Sequence, residues 1–299
     1  MSENITHMAV LDDCFRIVLN LEKVHPALHE VVRTQRDIAR LGTITRGGDS
    51  HTVQLLESFR QRWATRQPED RLEAKLAFVL GWLCHRAADR QMKPLFREVE
   101  PGRPVSPAEC SIYHDAFLFH EVYADGREQP YQPRMFDFLN LSREAGLNPD
   151  AVMEVVHAAF SRALLELHTF SPNPQDAEGW IDRLFKLQQV FRVDIERYAR
   201  AIASPDPDKV RRFIIDTNFY DRQEPIIRVA RAIQRNQPVE PSEVASAAEA
   251  AAQTHYGKAV KMSVDYIRAA SEFLERQISR DGLGQRLNIG KLGRDNEIV

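Results

Sequence analysis

His85 and Asp89 stand four residues apart in the run Leu-Ala-Phe-Val-Leu-Gly-Trp-Leu-Cys-His-Arg-Ala-Ala-Asp-Arg-Gln-Met-Lys-Pro-Leu-Phe, residues 76–96. On a helix that spacing places an imidazole and a carboxylate one above the other on a single face. The segment from Leu76 to Leu83 is apolar nearly all round, which puts the pair beside the core. A carboxylate there needs a cation, an arginine or several hydrogen-bond donors. A metal ion is one answer, and the neighbouring Arg86 and Arg90 are another.

Further imidazoles and carboxylates lie in the same part of the chain. His7 falls in the first helical pattern, and Asp49 and His51 follow the adjacent glycines Gly47 and Gly48. His114, Asp115, His120 and Glu121 share one aromatic-rich segment. His114 and Glu121, seven apart, lie on one helix face, whereas His114 and Asp115 point about 100° apart. Histidine and carboxylate pairs on successive helices can build a metal site inside a helical bundle. Imidazole with carboxylate and no thiolate suits zinc, manganese or iron. Ions held in that way polarise a phosphoryl oxygen and lower the pKa of a bound water. The plainer reading of any single histidine on an apolar helix is a hydrogen-bonded core residue. It is the reading taken for His157, His168 and His255, while His25 and His29 read as solvated.

The elements that must carry these residues read as helices throughout, from the many Ala, Leu, Glu, Arg and Gln and the few β-branched alternations. Thr6 is a natural N-cap for a first helix that turns Asp12 and Arg16 outward. A second helix runs from Pro26 to about Leu41 and stops at Gly42. Ser50 caps a third, from His51 to about Arg66, and the His85 helix continues until Pro94 disturbs it. The next helix begins near Ser106-Pro107 and ends at Ala124-Asp125-Gly126. Long amphipathic helices are expected around 149–170, 176–203, 207–236 and 241–280. The fold class is therefore all-α, a multi-helix bundle with long C-terminal helices. By region, 1–135 holds the metal-site helices, 136–281 packs on the same bundle, and 282–299 is a loosely ordered tail.

The 299 residues, 43% hydrophobic and 28% charged, describe an ordinary globular chain. A net charge of −3 gives no general affinity for nucleic acid or anionic membranes. Three scattered cysteines provide neither a disulfide framework nor a thiolate zinc site. No secretory signal and no spanning segment is legible, so a cytoplasmic protein is the default expectation.

Four passages together resemble the zinc-dependent phospholipase C family, within the phospholipase C and P1 nuclease superfamily. They are Asn4-Ile5-Thr6-His7-Met8, the turn Leu41-Gly42-Thr43-Ile44 through Asp49, the stretch Phe78-Val79-Leu80-Gly81-Trp82-Leu83-Cys84-His85-Arg86-Ala87-Ala88-Asp89, and the His-bearing helix Tyr113 to Tyr123. The third is the closest match, a Gly-aromatic-Leu-Cys-His-x-x-x-Asp helix. The resemblance covers roughly the first 125 residues. It implies that His7, Asp49, His85 and Asp89 bind metal, zinc in this family, with His114 and His51 completing the set; Glu121 joins them as a candidate from its place on the His114 face. Three positions depart from the family pattern. Lys93 precedes Pro94 where the family has His-Pro, Gly48-Asp49 replaces Pro-Asp, and Leu118 stands four after His114 where an acid is usual. Fewer ions than the family norm, or none, are expected in consequence.

The function that follows is a metal-dependent phosphoric ester hydrolase of phospholipase C-like type, active or degenerate. Asp49 or Asp89 would help orient the attacking water. A phosphoester substrate is the expected partner, and the C-terminal helices could join two copies. One alternative is a non-catalytic helical scaffold that retains the fold. Another is an HD-type phosphohydrolase built on His85 and the His114-Asp115 pair.

Overall fold

The computed structural model describes residues 4–44, 49–102, 109–123, 197, 198 and 200–289, without the side chains of 49–51. These residues are helical with no strand among them, so the chain is all-α. The helices are α1 (Asn4–Leu19), α2 (Pro26–Thr34), α3 (Arg36–Ile44), α4 (Asp49–Arg62), α5 (Leu72–Val99) and α6 (Glu109–Tyr123). Further along the chain come α7 (Pro207–Val210), which runs into a π-turn at Arg211–Ile215, and α8 (Pro225–Gln234). The last three are α9 (Pro241–Glu249), α10 (His255–Leu274) and α11 (Arg280–Arg286). Among the described residues no helix is long and apolar enough to cross a membrane.

Packing divides the chain into two compact units. The first comprises Met1–Thr6 and Phe96–Thr217, the second His7–Leu95 and Asn218–Val299. In the first unit α6 packs on α7 and the π-turn, burying Phe119, Tyr123 and Phe213. In the second, α10 packs against α4, α8 and α11, with Tyr256, Tyr266 and Phe273 in the core. Large side chains buried in this way each contribute about 1.5–3 kcal/mol relative to exposure.

Several boundaries differ from the sequence expectation. Thr6 lies inside α1, and its N–H and hydroxyl both donate to Asp115 Oδ1, at 2.7 and 2.8 Å, so it is not a cap. Asp12 does not face outward; it is fully buried and paired with Arg36 and Arg40. The helix beginning at Pro26 breaks at Gln35, whose N–H bonds the Val31 carbonyl, and a separate α3 carries the chain to Ile44. Gly42 lies within α3 instead of ending it. Pro94 sits inside α5, which continues to Val99. Burial of Met92 and Leu95 on either side outweighs the lost N–H and the ring clash.

The long C-terminal helices are shorter than their pattern suggests. The 207–236 stretch is interrupted by the π-turn and by Asn218 with φ 50° before Pro225 starts α8. The 241–280 stretch divides where Ala250 turns extended and Thr254 caps α10 by accepting from Gly257 N–H at 3.0 Å. Ser279 caps α11 in the same way, accepting from Gly282 N–H. The helix expected over 149–170, most of that over 176–203, the loop 126–133, His157, His168 and residues 290–299 lie outside the described residues.

Candidate metal centre

His7, His85 and Asp89 come together in the second unit. Each offers one ligand atom, and the three atoms lie within 4.8 Å of one another. His85 and Asp89 share a face of α5, as their spacing requires, with His85 Nε2 3.1 Å from Asp89 Oδ2. His7 enters from α1, its Nε2 3.3 Å from Asp89 Oδ1. The two imidazoles stack, with centroids 4.6 Å apart and planes inclined by 27°. His7 and His85 are buried and Asp89 is nearly so.

A close crossing of α3 and α5 builds this arrangement. A Cβ on Gly42 would overlap the Phe78 carbonyl, and a Cβ on Gly81 would overlap the Ala39 carbonyl. Only glycine at both positions lets the two backbones approach so closely. Thr43 is thereby carried against the cluster. Its carbonyl, in the last turn of α3 where helix carbonyls need an outside partner, accepts from His85 Nδ1 at 2.9 Å. Its hydroxyl donates to the His7 carbonyl at 3.3 Å. The Nδ1–H bond fixes the His85 tautomer and turns Nε2 toward Asp89, the usual way of orienting a ligand imidazole.

Burial alone would raise the Asp89 pKa. The facing His85 and His7 outweigh it and hold the carboxyl well below its ordinary range, so Asp89 is an anion at neutral pH. Lys93, one turn further along α5, adds its Nζ 2.8 Å from Asp89 Oδ2. The sequence offered Arg86 and Arg90 as partners for Asp89. Their guanidinium groups reach the Asn288 carbonyl instead, at 3.5 and 2.9 Å.

Two imidazole nitrogens and a carboxylate oxygen form a donor set suited to a transition metal ion. Ligands about 2.0–2.1 Å from a tetrahedral ion stand about 3.3 Å from one another. The two imidazoles meet different oxygens of Asp89, His7 Nε2 at Oδ1 (3.3 Å) and His85 Nε2 at Oδ2 (3.1 Å), while a set with one oxygen from the carboxylate lies within 4.8 Å. The donor types and their convergence fit a single ion with three protein ligands once the side chains close on it.

The remaining candidates divide among other places. Asp49 opens α4 and His51 follows it, and both side chains lie outside the described ones. His114 belongs to the first unit, where its Nε2 is 3.0 Å from the Phe213 carbonyl and 3.4 Å from Cys110 Sγ. Glu121 lies on the same helix at intermediate burial. Asp115 is buried there among Thr6 and the Tyr198 hydroxyl, which donates at 3.0 Å. His120 bonds the Ile202 carbonyl, His25 caps α2 by accepting from Ala27 N–H, and His255 bonds the Gln91 carbonyl.

Sequence reasoning missed Thr43 and the contact between Lys93 and Asp89. Gly42 and Gly81 were visible as motif residues, yet nothing in the text signals that they face each other's helices. The Lys93 contact was available from spacing, since four residues separate it from Asp89 on α5. Compared with family models, with curated proteins and with solved structures, the chain finds no match in any of the three.

Proposed function

We propose that this chain is a metal-dependent phosphoric ester hydrolase whose ion, zinc in the first instance, is held by His7, His85 and Asp89. The observation that carries the reading is the meeting of three ligand atoms from α1 and α5 within 4.8 Å. It is supported by the resemblance to zinc-dependent phospholipases C at the same three residues. A divalent ion held there supplies Lewis acidity toward a phosphoryl oxygen. The chain's own residues do the rest. Thr43 holds His85 in the tautomer that presents Nε2, and the Asp89 carboxylate neutralises part of the incoming positive charge. In this reading Asp49 or Asp89 would orient the attacking water. His51, His114 and Glu121 are not needed by a three-ligand site.

The test is hydrolysis of a phosphodiester panel: a phospholipid, a single-stranded oligonucleotide and bis(p-nitrophenyl) phosphate. Chelator-treated protein is expected to be inactive, zinc to restore turnover, and His85→Ala to lose it by at least about 100-fold. Zinc-bound protein that hydrolyses none of the three would contradict the reading.

A second reading, a helical scaffold without catalysis, is favoured by one contact. Lys93 supplies Asp89 with a positive partner at 2.8 Å, so the cluster closes with no ion at all. The HD-type alternative would draw on His114 and Asp115, which are engaged with the Phe213 carbonyl, Thr6 and Tyr198.

A further inference from the structure

Asp89 Oδ2 faces two cationic or donor groups at once, His85 Nε2 at 3.1 Å and Lys93 Nζ at 2.8 Å. The lysine side chain is 47% exposed while that of Asp89 is 14% exposed. The ammonium thus reaches the cluster from the solvent side on a flexible stem that can swing back into water. A protonated ammonium donates hydrogen bonds and cannot ligate a metal. A divalent ion drawn to the same carboxylate would be repelled by an ammonium a few ångströms away. Both therefore compete for one carboxylate.

We infer that Lys93 is the resident cation of the Asp89 site, an internal competitor that weakens binding of a divalent ion and leaves the carboxylate when the ion enters. The inference rests on the metal reading above. In the ion-free state Lys93 keeps a nearly buried carboxylate compensated, which a bare three-ligand pocket would not. In the ion-bound state the released ammonium returns to solvent. Lys93 is then a positioning residue for metal occupancy, and its removal should tighten the site.

Zinc and cobalt(II) affinity, by calorimetry and by cobalt d–d absorption, tests this on the full chain at one pH. Lys93→Met is expected to bind either ion roughly tenfold more tightly than the unmutated protein. Lys93→Gln, polar and uncharged, should shift affinity in the same direction if the methionine variant folds poorly. Lys93→Arg, which keeps the charge, should bind as the unmutated protein does. A lysine that only braces α5 would give the opposite sign, because its loss would loosen the ligands and weaken binding. Unchanged or weaker binding in Lys93→Met and Lys93→Gln, with binding in the unmutated protein abolished by His85→Ala, overturns the inference and leaves the metal reading standing. Folded unmutated protein and folded Lys93→Met that both fail to take up either ion overturn the two together.

Discussion

Asp115 is a buried carboxylate and Asp89 a nearly buried one, and their surroundings push them in opposite directions. Burial raises each. At Asp89 the facing imidazoles of His85 and His7 outweigh burial and hold the group well below its usual range. At Asp115 the neighbours are neutral donors, Thr6 and the Tyr198 hydroxyl, which offset burial only in part, and its pKa rises to about 6 from 3.8. Between those two values the folded chain holds the Asp115 proton more tightly than the unfolded chain. Stability attributable to Asp115 therefore falls as pH rises from about 4 to 6, by about 3 kcal/mol in all, and stays lost above that window. Urea unfolding across pH 4–7 should show Asp115→Asn gaining on the unmutated protein as pH rises. Parallel curves would contradict the assignment. None of this was legible in the sequence, where Asp115 read only as a candidate beside His114. The donors that surround it come from positions 109 and 83 residues away.

At the scale of elements, α5 was the most legible, because His85 and Asp89 share one face at any helical register and an apolar run fixes which face is buried. Its end was not. Proline signals a stop only when packing does not hold the next turn, and Leu95 is buried just beyond Pro94. Gly42 shows the same ambiguity, since a glycine suits both a helix terminus and a close helix crossing. The crossing partner at Gly81 decides between them, and sequence does not pair the two. Gly81→Ala should force α3 and α5 apart and cost about 1–3 kcal/mol, read as a lower urea midpoint with an unchanged slope. The same variant should also weaken zinc binding, because Thr43 would no longer hold His85. Wild-type stability with wild-type zinc affinity would show that the close approach is not needed.

At the scale of the molecule, the all-α class was written in composition and periodicity, which survive any error of boundary. The packing of the second unit was not, because it depends on ion pairs between distant positions. Asp12 is fully buried between Arg36 and Arg40, at 2.8 and 2.7 Å, and these arginines outweigh burial to keep its pKa low. The next residue, Asp13, takes Arg16, Arg231 and the Tyr256 hydroxyl, joining α1 to α8 and α10. Amphipathic logic turned Asp12 toward solvent because a lone carboxylate belongs there. Two arginines on α3 reverse that choice. Removing one partner from such a network strands the rest, so Asp12→Ala should lower the unfolding free energy by about 3–5 kcal/mol, measured by denaturant titration. A loss under 1 kcal/mol would mean the arginines find water instead.

The central claim is that His7, His85 and Asp89 hold a divalent metal ion, and metal content is its most direct measure. Protein purified without chelator would be assayed for zinc, manganese and iron, then titrated with zinc alongside His7→Ala and His85→Ala. About one ion per chain is expected in the unmutated protein. Each histidine variant should stay folded and lose that ion. Unmutated protein that carries no metal and takes up no added zinc would contradict the claim.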